Sequence, residues 1–411
     1  MSRKNTLLKV GTMYGATGLK VVLGFLISIF NTRVLGKESY GDLKFIESIV
    51  RTITGFTTAG FFISITRILA VTKDKGFQKK LLGYFVYILL IMAAISSAAM
   101  FLFSYVEPIF FEHGLSPLFK NHFFVVIAFL TGIAIAEVLK GLNHIYTLAL
   151  TSILPAIIFL VLAYTISQFY DIGVSTILLL NYGISFFVSL VVILRLKPNM
   201  RYGKEVVKTV AQENKVNGRP VYIGSLAGVA TTHLATFAIS YYLDNTQVGY
   251  YTLALTIASP LLMIPSVLGT TFYKQFANIK RIPNKVFLLS FSIAIPALLI
   301  FYFFVEKIIL LFYSEDYLPA AAIAKFIIIA FIFHGLGDLI NRFLGAKGQG
   351  KLLRNSAFIV GAVNVIGYPI LVKFFGVNGA IMTRILASTS YFVIMFIFYS
   401  NFVKKNNYVQ K

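Results

Sequence analysis

Long apolar stretches separated by short polar clusters dominate the chain. A helix that crosses a bilayer needs roughly 20 consecutive, mainly apolar residues. The pattern predicts twelve such helices, over residues 11–35, 44–70, 81–106, 119–141, 146–170, 174–194, 220–243, 247–275, 286–305, 318–343, 352–374 and 378–403. We therefore expect an all-α, polytopic membrane protein with twelve transmembrane helices. The first stretch is too long for the apolar core of a signal peptide, so we expect it to be a retained span.

Composition agrees with this pattern. Of 411 residues, 58% are hydrophobic and 13% are charged, whereas soluble domains have about 45–50% apolar and about 25% charged residues. The net charge of +22 would indicate a nucleic-acid partner in a soluble protein. Here the cations lie between apolar stretches, which indicates membrane topology and contact with anionic lipids, and no nucleic acid.

The distribution of Lys and Arg predicts the orientation of the helices. Cytoplasmic loops of membrane proteins carry an excess of these residues. With the N-terminus inside, the inner segments hold 26 Lys and Arg and the outer segments hold 5. We therefore expect a multi-pass protein of the cytoplasmic membrane with both termini cytoplasmic.

Two outer turns echo each other. Gly36–Gly41 follows the first predicted span and Asp244–Tyr250 follows the seventh, at an offset of 208 residues. The chain then reads as a six-helix half (1–194), a cytoplasmic linker (195–219) and a second six-helix half (220–411). Six helices per half in one orientation predict a parallel repeat, a design that places substrate at the repeat interface and works by alternating access.

Charged residues inside the predicted spans are the candidate functional residues, because a charge within the bilayer is costly and marks a cavity or a partner. Cations outnumber acids there, which favours an anionic ligand. Arg67 lies near the inner end of its helix, where its side chain can reach the interface. The candidate substrate-binding residues are Arg33, Arg51, Arg384, Lys20 and Lys325. The candidates for a coupling ion or an ion pair are Glu47, Glu137 and Asp338, with Glu47 and Arg51 spaced as a helical ion pair.

Motifs for enzymatic chemistry are incomplete. Gly345–Leu352 resembles a phosphate-binding loop, but Leu352 replaces the Ser or Thr that binds Mg²⁺. No metal-ligand cluster or nucleophile motif accompanies it. We therefore expect a transporter that needs no cofactor, and we do not expect an enzyme.

Three short motifs resemble a known family. They are Arg33–Gly36 with Tyr40–Gly41, then Val248–Ala254, then Phe375–Ala380. In order and spacing they resemble the polysaccharide-biosynthesis oligosaccharide flippases of the multidrug/oligosaccharidyl-lipid/polysaccharide exporter superfamily. The resemblance covers essentially the whole chain, and Arg33 matches the Arg of the first motif.

The resemblance implies a flippase of the bacterial inner membrane. Its substrate would be an oligosaccharide repeat unit, such as that of O-antigen, on a polyprenyl pyrophosphate, bound in a cationic cavity. Coupling to H⁺ or Na⁺ stays open, as do a polysaccharide polymerase and chain-length proteins as partners. Two alternatives remain: a cation-coupled multidrug antiporter of the same superfamily, and an integral-membrane polysaccharide polymerase.

Overall fold

Helices form the secondary structure of the part of the chain that the structure describes. The computed structural model describes residues 3–408, and it describes side chains for residue 12 and for 15–404, apart from 224, 227, 266, 270, 274 and 277. The helices are α1 (Arg3–Thr57), α2 (Phe61–Val71), α3 (Lys75–Phe110), α4 (Ser116–Asn121), α5 (Val125–Gly141), α6 (Ile145–Ser167), α7 (Val174–Arg195), α8 (Lys204–Glu213), α9 (Arg219–Thr232), α10 (Leu234–Tyr242), α11 (Asn245–Thr271), α12 (Tyr273–Asn278), α13 (Asn284–Phe312), α14 (Leu318–Ala346) and α15 (Gly350–Tyr408).

The predicted spans coincide with these helices. Within the described residues, nine helical stretches are long and apolar enough to cross a membrane. Two of them, α1 and α15, each contain an internal break. The helix α15 covers two predicted spans, and α1 covers the first span and the first part of the second, up to Thr57. A further predicted span contains α5, which has 17 residues. The all-α membrane architecture is thereby confirmed, while the count of twelve crossings and the parallel repeat stay predictions.

Glycine makes both internal breaks. Gly36 has φ 71° and ψ 175°, and Gly376 has φ 57° and ψ −139°. Side chains disfavour these backbone conformations, which glycine adopts readily. Each glycine therefore ends one apolar helix and starts the next without a loop, which is why one continuous element leads from one predicted span into the next.

Apolar side chains cover much of the outer surface of the helices. Leu90 is 62% exposed, Ile109 69% and Phe303 70%. Soluble monomers rarely expose large contiguous apolar patches, whereas helices in lipid present such side chains to hydrocarbon. The distribution of exposed residues thus supports a membrane environment independently of helix length.

The chain divides into two compact units, unit 1 (Met1–Val229) and unit 2 (Ala230–Lys411). The predicted linker, 195–219, lies within unit 1. Its helix α8 is amphipathic, and the side chains of Val206 and Val210 are fully buried in the hydrophobic core of unit 1, with Leu82 and Phe85 of α3. The apolar face of this helix is therefore covered by protein.

The end of this linker packs against a break in the second predicted span. The helix is interrupted between Thr57 and Phe61, where Gly60 has φ 80°. A Cβ atom on Gly60 would clash with the carbonyl of Gly218, and the hydroxyl of Ser64 donates to Asn214. Arg67, which the sequence placed at the membrane interface, forms an ion pair with Glu213 at 2.7 Å. The linker is thus fixed to α2 by close packing and by polar contacts.

Unit 2 has its own core near the ends of its helices. The rings of Phe276 and Phe343 meet edge to face at 5.6 Å, and Met395 of α15 is fully buried beside them. Such pairs stabilise a core beyond the area that they bury. This core joins α12, α14 and α15. The polar residues described below lie elsewhere on α14 and α15.

A cationic cavity and a buried arginine

The first break in the chain brings two predicted cations together. Lys20 precedes Gly36 on α1 and Arg51 follows it, so the two residues lie on successive helical segments joined by a tight turn. Both side chains line one cavity of about 390 Å³ within unit 1. Two residues that are 31 positions apart thus contribute positive charge to the same space.

The rest of the cavity wall is polar and uncharged, or apolar. Helices α5, α6 and α7 complete it, and its polar lining consists of Thr151, Ser152, Asn181, Tyr182, Ser185 and Ser189. Among the described residues that line it, none is acidic. The cavity therefore offers two cations and several hydroxyl and amide groups, which is a surface that suits an anion.

An aromatic side chain holds Arg51 in place. The guanidinium carbon lies 4.9 Å from the centre of the Phe129 ring, within the range of a cation–π interaction. Phe129 in turn meets Tyr182 edge to face at 6.3 Å. The guanidinium is therefore packed against α5, while the Arg51 residue stays exposed and lines the cavity.

The ion-pair partner of Glu47 is Lys44 rather than Arg51, the partner that the spacing suggested. Glu47 accepts a hydrogen bond from Lys44 at 3.0 Å, three residues earlier on the same helix. Both spacings are within reach of a helix, and the structure uses the shorter one. Arg51 also interacts with Glu47 electrostatically, and Glu47 is not among the residues that line the cavity.

The other predicted residues of unit 1 lie apart from the cavity wall. Arg33 is exposed on α1 and does not line the cavity. Glu137 forms an ion pair with Lys140 and also accepts from the hydroxyl of Thr66 at 3.3 Å. Of the residues named from the sequence, the structure brings Lys20 and Arg51 together and leaves Arg33 and Glu137 outside.

Of the two predicted cations in unit 2, Arg384 lies in a different setting. Arg384 of α15 is half-buried, and its guanidinium lies 5.6 Å from the ring centre of Phe331 on α14. The phenol groups of Tyr251 and Tyr368 lie beside it. Its Nε atom is buried without a hydrogen-bond partner within the described residues. Aromatic rings rather than carboxylates therefore surround this charge.

The remaining predicted residues of unit 2 form pairs. Asp338 lies 3.7 Å from Arg342 on α14, one helical turn away. Lys325 donates to Glu306 of α13 at 2.6 Å. The ring of His334, four residues before Asp338 on α14, stacks on Tyr391 of α15 at 4.8 Å. The charge of Lys325 is thus neutralised by Glu306, and Asp338 lies close to the guanidinium of Arg342.

Sequence reasoning missed the polar lining of the cavity. Asn181, Ser185 and Ser189 are spaced four residues apart on α7, so they share one face of an otherwise apolar helix. That stripe is visible in the sequence as uncharged polar residues at every fourth position, whereas the charged residues alone do not indicate it. Within the described residues, no group of three His, Cys, Asp or Glu side chains could hold a metal ion.

The fold is that of known membrane transporters. The lipid II flippase MurJ in an inward closed conformation superposes with a TM-score of 0.73 over 93% of this chain and 86% of that one, at 17% identity. An inward-facing multidrug resistance MATE family transporter of the MOP superfamily gives 0.70 at 15% identity, over 93% and 96% of the two chains. A MOP superfamily transporter from Pyrococcus furiosus gives 0.58 at 13% identity, over 97% and 94%.

Sequence comparison then gives the family. The model of the polysaccharide biosynthesis protein family matches residues 7–278, about two thirds of the chain. The chain belongs to this family, as the motif resemblance predicted. No curated protein sequence matches it at a significant level. Family and fold together support a transporter or flippase of the membrane.

Proposed function

We propose that the protein moves polyprenyl-pyrophosphate-linked oligosaccharide units from the cytoplasmic to the outer leaflet by alternating access. The observation that carries this proposal is the cavity of unit 1, which contains Lys20 and Arg51 and, among its described lining residues, no acid. Membership of the polysaccharide biosynthesis family supports a glycan-related substrate. The proposal assigns the cavity to the pyrophosphate and the adjoining sugar.

The chemistry of the cavity suits a pyrophosphate diester. Such a group carries two negative charges, and the two cations of the cavity would balance them. A guanidinium can donate two parallel hydrogen bonds to phosphate oxygens, whereas an ammonium acts as a point charge. Arg51 would therefore orient the phosphate and Lys20 would add charge. The volume of about 390 Å³ lies within the roughly 300–1,000 Å³ that small-molecule sites occupy.

The hydroxyl and amide groups of the wall have a second role in this proposal. Serine, threonine and asparagine side chains can both donate and accept hydrogen bonds, as sugar hydroxyls require. Asn181, Ser185 and Ser189 form a continuous polar stripe on α7. We assign this stripe to the first sugar of the glycan and the cations to the phosphates.

The membrane potential would help to drive export. Moving one charge across the membrane changes the free energy by about 2.3 kcal/mol per 100 mV, so a dianion that leaves a negative interior gains about 4.6 kcal/mol per 100 mV. Coupled H⁺ or Na⁺ would then serve to reset the empty carrier. In this proposal the acids Glu47, Glu137 and Asp338, each already close to a cation, are candidates for that step.

Multidrug antiport is the second candidate, favoured by the fold similarity to a MATE transporter. A cavity for cationic drugs needs acidic residues, and the charges here have the opposite sign. The Pyrococcus furiosus transporter carries the description that "reverse polarity of binding pocket suggests different function". By the same reasoning, we take the polarity of this cavity as the feature that separates the two candidates.

A complementation assay distinguishes the flippase from the multidrug antiporter. A bacterial strain that lacks its polysaccharide flippase receives the wild-type gene, Arg51→Gln or Lys208→Gln. Lys208 is the control, because it is an exposed cation on α8 of the same unit and does not line the cavity. We expect surface glycan with the wild type and the control, and at least tenfold less with Arg51→Gln at equal membrane abundance. Resistance to cationic dyes without restored glycan would establish antiport instead.

Localisation is part of the same proposal: the bacterial cytoplasmic membrane, with both termini inside. The chain has no cysteine, so single cysteines can be introduced without background labelling. We expect a membrane-impermeant thiol reagent to label Lys37→Cys in intact spheroplasts and to label Lys79→Cys only after permeabilisation. The reverse pattern would contradict the proposed direction of transport.

A further inference from the structure

An apolar groove lies next to the cationic cavity. It has a volume of about 260 Å³ and runs between α5 and α7. Its wall is almost wholly hydrocarbon, and its lining residues are Phe124, Val125, Ile127, Ala128, Leu179, Tyr182, Gly183, Phe186 and Phe187. None of these residues is charged, in contrast to the neighbouring cavity.

The groove and the cavity share part of their walls. Ala128 of α5 and Tyr182 of α7 line both spaces. Tyr182 is buried and packs against Phe129, the ring that holds the guanidinium of Arg51. A polar, positively charged space and an apolar space therefore adjoin each other across two side chains of one unit.

The groove is open on its outer side. Phe187 is 67% exposed and Leu179 43% exposed, so the groove faces the surface that hydrocarbon covers in a membrane. At Gly183 the missing side chain leaves room, since a Cβ atom there would meet no heavy atom within 4 Å. A flexible hydrocarbon chain could enter this space from the membrane without displacing protein atoms.

We propose that the groove binds the hydrocarbon chain of the substrate while Lys20 and Arg51 bind its phosphate headgroup. The inference rests on the proposed function and extends it, because it assigns the lipid part of the substrate to a definite surface of unit 1. Anionic headgroup and apolar chain are complementary to the cavity and the groove respectively. The site as a whole then selects an amphiphilic anion over a free phosphate.

Glycines on helices of unit 1 provide matched variants. Gly183→Leu fills the groove, and Gly132→Leu fills the cavity, which Gly132 lines. Neither position has a heavy atom within 4 Å of its missing Cβ, so both changes are expected to fold. Gly18→Leu is the control: it is equally open, and it lies about 200° around the helix from Lys20.

The experiment measures binding to the purified full-length chain in detergent with two probes, inorganic pyrophosphate and farnesyl diphosphate. We expect the wild type and Gly18→Leu to bind farnesyl diphosphate roughly tenfold more tightly than pyrophosphate, because chain carbons are buried in the groove. Gly183→Leu should abolish this preference and leave the affinity for pyrophosphate unchanged. Gly132→Leu should weaken both probes.

The outcomes separate the inference from the proposed function. If the wild type binds the two probes equally, the inference that the groove binds the chain is wrong, and the proposed anion site is unaffected. A preference for farnesyl diphosphate that survives in Gly183→Leu would also overturn the groove inference. The farnesyl chain would then lie in detergent, and the groove would hold only bulk lipid or detergent. If the wild type binds neither probe, the proposed anion site fails, and the groove inference fails with it.

Discussion

The two units hold their intramembrane cations in opposite ways. In unit 1, Lys20 and Arg51 line a cavity whose wall carries several hydroxyl and amide groups, and the arginine packs on the Phe129 ring. In unit 2, Arg384 is half-buried among Phe331, Tyr251 and Tyr368. The first arrangement leaves charge available to a ligand, and the second uses it within the protein.

The acidic residues inside the predicted spans each have a partner of opposite charge on their own helix. Glu47, Glu137 and Asp338 each lie within one helical turn of a Lys or Arg of their own helix. Local pairing of this kind neutralises the acid and leaves the cavity of unit 1 positive. Two of the intramembrane cations, Lys20 and Arg51, thus line a cavity that contains no acid among its described lining residues.

The largest effect should come from the cavity arginine. We expect Arg51→Gln to weaken pyrophosphate binding by about 10- to 150-fold, because a hydrogen bond to a charged group contributes about 1.5–3 kcal/mol. Arg51→Lys should lose less, since the charge remains and the paired donors do not. Titration calorimetry on purified protein measures both, with Lys208→Gln as the control. An unchanged affinity of Arg51→Gln for pyrophosphate would show that Arg51 does not bind the phosphate group.

The two glycine breaks should respond alike, although the units differ elsewhere. Gly36→Ala and Gly376→Ala each force a side chain into a disfavoured backbone conformation, at a cost of about 1–3 kcal/mol. No neighbouring atom obstructs a Cβ at Gly36, so its cost is that of the backbone alone. A thermal-denaturation series measures the loss. Gly183→Ala is the control and should be neutral or slightly stabilising, as in any helix.

Arginine at position 384 should be harder to replace by lysine than arginine at position 342. The guanidinium of Arg384 lies over Phe331, and a desolvated cation–π interaction contributes up to about 2 kcal/mol. We expect Arg384→Lys to lower the free energy of unfolding by about 1–2 kcal/mol and Arg342→Lys to change it little, because Arg342 is 42% exposed. Equal melting temperatures of the two variants would mean that the aromatic setting adds nothing.

The smallest effect should come from Lys325. Its partner Glu306 is 56% exposed, and exposed ion pairs contribute about 0–1 kcal/mol. Lys325→Ala should therefore change the melting temperature slightly and leave surface glycan at the wild-type level in the complementation assay. A loss of glycan beyond threefold would return Lys325 to the set of substrate-binding residues.

The sequence predicted more of the fold than of the site. Apolar length is a local property, and it located helical segments along the chain, but it did not show the breaks within predicted spans such as 44–70 and 220–243. The turn motifs at Gly36 and Gly376 were also visible, because only glycine tolerates their backbone angles. The family followed from these motifs in their order, and the family model confirms it.

The site could be predicted only in part. The sequence indicates which charges lie inside spans, and Lys20 and Arg51 were among them. It could not choose between Lys44 and Arg51 as the partner of Glu47, since both lie within reach on the helix. It also did not show that α7 contributes Asn181 and Ser185 to the cavity wall, because contact across helices depends on their packing.

Hydropathy and charge along the chain by themselves determined an all-helical membrane protein with a surplus of intramembrane cations. Tertiary structure alone decided which of those cations share a space: Lys20 and Arg51 meet in one cavity, Lys325 is paired with Glu306, and Arg384 is enclosed by aromatic rings. The physical reason is one of range. Burial in a bilayer acts on each segment separately, whereas a binding site requires side chains from distant helices to converge.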